Sequence, residues 1–230
     1  MILIVGCSFS MGWYKFIGDK EVVQRDYCWY DELDRPYRVY AHPSGGMMSF
    51  CKCLDLVCNP APASTSAILI QESFGPRIVI PEVFQYKQWR ENVHSWDLDY
   101  YLFSNTIAGL PNKQKILSEK FDFDWQPGIS KWMSTLSSNS NGWDYLNTAC
   151  TSHLDHIAEA IGLPTYAYSF TGIKYPYKYI KYLDVPPATE TLFWNSKYHH
   201  YDEHGPLHFN RDGNRKLGQM IKKGLDNELS

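Results

Sequence analysis

Met1-Ile2-Leu3-Ile4-Val5-Gly6-Cys7-Ser8-Phe9-Ser10-Met11-Gly12 is the stretch on which the fold turns. Its first five residues are apolar and three of them are β-branched; a glycine-punctuated turn follows at once. That is the pattern of a buried parallel strand running into a loop. In open α/β sheets, ligands bind just beyond the carboxyl ends of such strands. Ser8 is therefore expected to be delivered to a cleft, among residues small enough for a substrate to approach. Gly and Ser also make ordinary strand-to-loop turns, so the stretch needs support from elsewhere in the chain.

That support lies near the other end. His208-Phe209-Asn210-Arg211-Asp212-Gly213-Asn214 places a histidine directly before a helix. Asn210 or Asp212 can cap that helix, and Leu217, Met220, Ile221 and Leu225 form its apolar stripe. Between the two ends, Tyr37–Ala41 alternates as a second strand. His42-Pro43-Ser44-Gly45-Gly46 and an apolar helical pattern from Met47 to Cys58 follow it. After the breaker-rich 59–66 loop, Ala67-Ile68-Leu69-Ile70-Gln71 is expected to be a third strand. A helix is predicted over 145–161, with Tyr145, Leu146, Ala149, His153, Ile157, Ala160 and Ile161 on or near its stripe, and a fourth strand over 165–170. Short apolar strands alternating with helices predict a parallel sheet covered on both faces.

Three stretches lack a clean period. Residues 13–36 are expected to form a loop or short helix behind the Ser8 turn. Residues 78–143, rich in Trp and Tyr, are too long for a structureless loop and are read as a largely helical insertion, with short helices over 112–121 and 127–136. Their aromatics either wall a cleft or pack a small subdomain. The stretch around His199, His200, His204 and His208 is expected to be a loop, because Gly205-Pro206 interrupts any helix there.

Composition narrows the function. The 230 residues are 44 % hydrophobic with net charge −3, which suits one globular domain over 1–230 and offers no basic footprint for nucleic acid. No apolar run approaches a membrane span, and Met1 leads straight into a core strand without a signal-peptide pattern. The six cysteines show no disulfide-framework spacing, which suits a reducing, cytoplasmic setting. Cys51-Lys52-Cys53 with Cys58 lacks the zinc-knuckle spacing and is read as core. A zinc site from the clustered histidines would have to be built by a loop, and His153, Asp155 and His156 are read as ordinary helix positions. No metal or cofactor is expected.

The two ends together resemble the SGNH (GDSL-like) hydrolases. In that family the nucleophile lies in a G-D-S-x-[ST] block, here Gly6-Cys7-Ser8-Phe9-Ser10. The base lies in a D-x-x-H-P-N-x-x-G-[HN] block, here His208-Phe209-Asn210-Arg211-Asp212-Gly213-Asn214, with the His-to-Gly spacing kept. The likeness covers the two ends well and the middle poorly. It implies a three-layer α/β/α fold with a short, flavodoxin-like parallel sheet. It further implies hydrolysis of a small ester or acylated carbohydrate through a Ser8 acyl-enzyme, with His208 as base and no cofactor.

The oxyanion would rest on the Ser8 N–H and on Gly45 or Gly46, where a missing Cβ lets a backbone donor approach. Two departures stand out. The family's acid position, three residues before the base, is Gly205, so Asp202 is the first substitute, Glu203 the second, and an acid-free dyad a third arrangement. The family's G-x-N-D block is replaced by Gln71-Glu72-Ser73, leaving Gln71 or Ser73 as stand-ins for the asparagine donor. His204 competes with His208 as base but fails the spacing to Gly213. A Cys7 thiol enzyme is a weaker reading, since Cys7 should point away from Ser8. A binding or structural module that kept the fold and lost the chemistry is the alternative from another class. Nothing in the sequence sets the oligomeric state.

Overall fold

The structure is a computed structural model that describes residues 1–18, 20–41, 47–58, 61–72, 77–104, 140–202 and 205–229. Ile2–Gly6 forms β1, Trp13–Ile17 β2, Lys20–Gln24 β3 and Tyr37–Ala41 β4. Helix α1 (Met47–Cys58), β5 (Ala67–Glu72), β6 (Arg77–Arg90) and β7 (Val93–Ser104) follow. Then come α2 (Ser140–Ile161), β8 (Thr165–Ser169), β9 (Ile180–Tyr182), the short α3 (Ala188–Thr191), the strands β10 (His199–Asp202) and β11 (Gly205–Phe209), and α4 (Arg211–Leu229).

A seven-stranded sheet runs β6-β7-β4-β1-β5-β8-β9, with β7 through β9 parallel and only β6 antiparallel. The fold is thus α/β with a mostly parallel sheet. Strand β1 lies at its centre, and Ile2, Leu3, Ile4 and Val5 are at most 2 % exposed. Burial on both faces explains why that strand is a continuous apolar run rather than an alternating one. With the β6–β7 pair set aside, the order β4-β1-β5-β8-β9 is the 2-1-3-4-5 order of flavodoxin-like sheets. From β1 the chain goes first to β4 on one side and later to β5 on the other. The crevice beyond the ends of β1 and β5 is therefore a topological switch point, where such sheets bind ligands.

The helices match the stripes expected of them, with one adjustment. In α1, Met47, Phe50, Cys51 and Leu54 are buried at helical spacing, and Cys51 and Cys53 behave as core residues. In α2 the buried line is Thr151, Leu154, Ile157 and Ala158, whereas Ala149, His153 and Ala160 face solvent. The stripe is therefore rotated from the expected one, with α2 packed against α1. In α4, Leu217, Ile221 and Leu225 are buried. Gly218 lets this helix touch the 3₁₀ turn Trp29–Glu32: a Cβ there would lie 2.1 Å from the Trp29 carbonyl oxygen.

Three expectations are corrected. Residues 13–24 form the antiparallel hairpin β2–β3 rather than a loop or helix. Residues 77–104, placed in a helical insertion, form a long antiparallel ribbon docked on β4 through Val93–Ser95. Residues 199–209 form the hairpin β10–β11 rather than a loop. The remainder of the expected insertion, including the helices expected over 112–121 and 127–136, lies outside the described residues.

Candidate active site

Ser8–Ser10 is one turn of 3₁₀ helix, closed by the Ser10 N–H to the Cys7 carbonyl at 2.8 Å. The turn folds Ser10 back over Gly6, where a Cβ would lie 2.2 Å from Ser10 Oγ. Only glycine permits so close a return. The buried Gln71, at the end of the adjacent β5, holds the turn from the side. Its Oε1 accepts from the Cys7 N–H (3.3 Å), the Cys7 thiol (3.3 Å) and the Ser10 hydroxyl (3.1 Å). The indole of Trp29 donates to Ser10 Oγ at 3.2 Å from the opposite side.

The turn leaves Ser8 half-exposed with its side chain directed at the histidine. His208 Nε2 lies 2.8 Å from Ser8 Oγ, the distance at which an imidazole takes a hydroxyl proton. The imidazole is fixed by its faces. The Tyr14 ring stacks on it at 3.9 Å and 13°, and Phe9 packs against it at 4.7 Å. Tyr14 Oη also donates to the Ser8 carbonyl at 3.2 Å, so one tyrosine fixes both partners. The β2–β3 hairpin, which supplies Tyr14, thus belongs to the site. Its signal was present in Ile17-Gly18-Asp19-Lys20, a two-residue Gly-Asp connection between apolar-bearing runs, with Gly18 at φ +61°.

The position of His208 follows from what comes after it. Phe209 is fully buried against Phe9, Phe170, Phe193 and His199. Asn210, the cap expected from sequence, accepts from the Gly213 N–H at 2.9 Å and donates to the Lys197 carbonyl at 2.7 Å. Asn214 then ties this corner to the rest of the molecule. Its Oδ1 accepts from the Trp29 N–H and the Cys28 thiol, and its Nδ2 donates to the carbonyls of Phe209 and Asn210.

The other predicted residues fare differently. Asp202 ends β10 and pairs with Gly205, three residues along the hairpin from His208, a separation of about 10 Å along the ladder. Its side chain lies outside the description, as do Glu203 and His204. Gly45, Gly46 and Ser73 also lie outside the described residues. The Ser8 N–H precedes the first bonded amide of the 3₁₀ turn, where a backbone donor is free to face a ligand. Gln71 is turned to the Ser8 turn: its Nε2 donates to the Glu72 carbonyl at 2.8 Å while its Oε1 faces Cys7 and Ser10.

The cysteine reading fails on access, since Cys7 is 1 % exposed and its thiol is turned to Gln71. His199 packs between Phe193 and Phe209, His153 and His156 are exposed, and Asp155 accepts from the backbone N–H groups of Lys178 and Tyr179. Among the described residues no three His, Cys, Asp or Glu side chains are grouped to hold a metal, and no helix is long and apolar enough to cross a membrane. No protein-family model, curated protein or solved structure matches this chain.

Proposed function

We propose that this chain is a serine hydrolase of the SGNH type, a single three-layer α/β/α domain that cleaves or transfers the acyl group of a small ester or acylated carbohydrate. The observation that carries the reading is the 2.8 Å contact between Ser8 Oγ and His208 Nε2 at the switch-point edge of the sheet. Ser8 Oγ attacks the ester carbonyl carbon as its proton passes to His208. The oxyanion is received by the Ser8 N–H and by the backbone N–H of Gly45 or Gly46. Collapse breaks the ester C–O bond, and His208 returns the proton to the departing alcohol. Water then repeats the sequence on the acyl-enzyme. Asp202 is the acid assigned to orient the imidazole. These steps need neither metal nor cofactor, and Cys7, Cys28, Cys51, Cys53 and Cys150 form no disulfide, in keeping with a cytoplasmic site of action.

A fluorophosphonate probe, with peptide mass spectrometry of the adduct, tests the reading. Labelling at Ser8 that vanishes in His208→Ala supports it. A folded protein without a Ser8 adduct favours the alternative, a binding module on the same fold. One observation motivates that alternative: the Gln71 amide is committed to supporting the turn, and loss of one oxyanion donor costs about a hundredfold or more in rate.

A further inference from the structure

Glu72 is the last residue of β5 and is 4 % exposed. A carboxyl group so deeply buried at the ligand-binding edge of a sheet needs partners, and it has two phenols. Tyr177 Oη donates to Oε1 at 2.8 Å, and Tyr182 Oη sits 2.9 and 3.0 Å from Oε1 and Oε2. The Tyr175 N–H donates in turn to Tyr182 Oη at 2.9 Å, and the two phenol rings stack at 5.6 Å. Lys174 Nζ stands 5.7 Å from the centre of the Tyr182 ring. Ser169, the β8 residue paired with Glu72, donates to the Ile173 carbonyl at 2.6 Å. From α2, Asp155 grips the far side of the same connection through the Lys178 and Tyr179 amides. The stretch between β8 and β9, which has no regular structure of its own, is thereby fastened to the tip of β5. The residue before Glu72 is Gln71, which holds the Ser8 turn.

We propose that Glu72 is a positioning residue for Ser8: its carboxylate, gripped by Tyr177 and Tyr182, fixes the tip of β5 from which Gln71 holds the nucleophile turn, and loss of its charge loosens that tip. The inference rests on the hydrolase reading above. Bonds from a phenol to a carboxylate are shorter and about twice as strong as those between neutral groups. A protonated carboxyl loses its charge and offers the phenols less acceptor capacity, so protonation weakens their hold. Burial and the adjacent carboxylate push both phenols far above their ordinary range, so they remain donors. Burial pushes Glu72 up to about 7, against the phenol bonds that pull it down. The grip therefore changes strength in the neutral range.

The test is the rate of Ser8 labelling by a fluorophosphonate between pH 5.5 and 9, in the wild type, Glu72→Gln and Tyr182→Phe. In the wild type the acid limb contains the loss of a proton from Glu72 near pH 7. In Glu72→Gln that component is missing, so the limb is shallower, and the plateau drops severalfold. Scaled to its own plateau, the wild type is about tenfold slower than Glu72→Gln at pH 6, one unit below the Glu72 titration. Tyr182→Phe, which keeps the carboxyl and removes one donor, moves the Glu72 titration to higher pH and covers the case in which Glu72→Gln does not fold. A profile of identical shape in all three proteins overturns the positioning role while leaving the hydrolase reading intact. Absence of Ser8 labelling at every pH in the wild type overturns both.

Discussion

Gln71 and Glu72 are neighbours in one strand and work on opposite faces of the sheet. Gln71 reaches the Ser8 turn with a neutral amide whose oxygen receives three donors and whose nitrogen has a carbonyl. Glu72 reaches the β8–β9 connection with an ionisable group held by two phenols. Successive side chains of a strand alternate in direction, so two residues fasten two loops at one crevice. The difference is one of chemistry. The support of the nucleophile is indifferent to pH, and the support behind it is not.

The most drastic way to probe the Gln71 side is to remove what it holds. Ser8→Ala should lower turnover by a factor on the order of 10⁶ while leaving the urea midpoint unchanged, because Ser8 Oγ takes no part in the bonds of the turn. Activity retained in that variant would show that the turn supports nothing catalytic. Gln71→Leu comes next. It leaves the Cys7 N–H and the Ser10 hydroxyl without their acceptor in a buried place, at a cost of about 4 kcal/mol, measured by urea unfolding. A loss under about 1 kcal/mol would mean that water replaces the amide.

The Glu72 side sharpens the contrast through pH. Its carboxyl titrates higher in the fold, about 7, than in the unfolded chain. The stability it contributes is full below the unfolded pKa and disappears as pH rises through about 7, an amount near 3 kcal/mol, because the cost of burying the charge outweighs the stronger phenol bonds that the ionised group makes. Unfolding of Glu72→Gln should lack this decline, so the variant gains on the wild type between pH 5 and 8. Parallel stability curves would refute the shift. The smallest effect is expected from Tyr14→Phe. It keeps the ring stacked on His208 and deletes only the bond to the Ser8 carbonyl, at about 1 kcal/mol, with the same cost at pH 5.5 and pH 8. A pH-dependent cost would erase the distinction between the two sides.

Much of this site was legible beforehand, for reasons that are local. Ile2–Gly6 and the residues after it carry a strand, a glycine and a hydroxyl in unbroken order, and His208 and Asn210 sit beside a helix cap. These signals need only neighbours in sequence. The ribbon differs from the helical insertion expected over 78–143, although Trp96, Leu98, Tyr100 and Leu102 stand at even spacing; that expectation rests on the length of the stretch and on the helical patterns over 112–121 and 127–136. Gln71 was considered as an oxyanion donor because position alone suggested it. Its hold on the turn depends on Ser10 folding back across Gly6, a tertiary fact. The Glu72 clamp was invisible for the same reason, since its phenols lie 105 and 110 residues further on.

The pairing of Ser8 with His208 spans 200 residues, and this has a consequence during synthesis. At about 5–20 residues per second, roughly 10–40 s separate the appearance of the nucleophile from that of its base. Throughout that interval the β1 turn can dock on β5 while Ser8 remains an ordinary, unactivated hydroxyl. On the hydrolase reading, reactivity arrives only with the β10–β11 hairpin that carries His208. A nascent or nicked chain that lacks this hairpin holds the scaffold without the base.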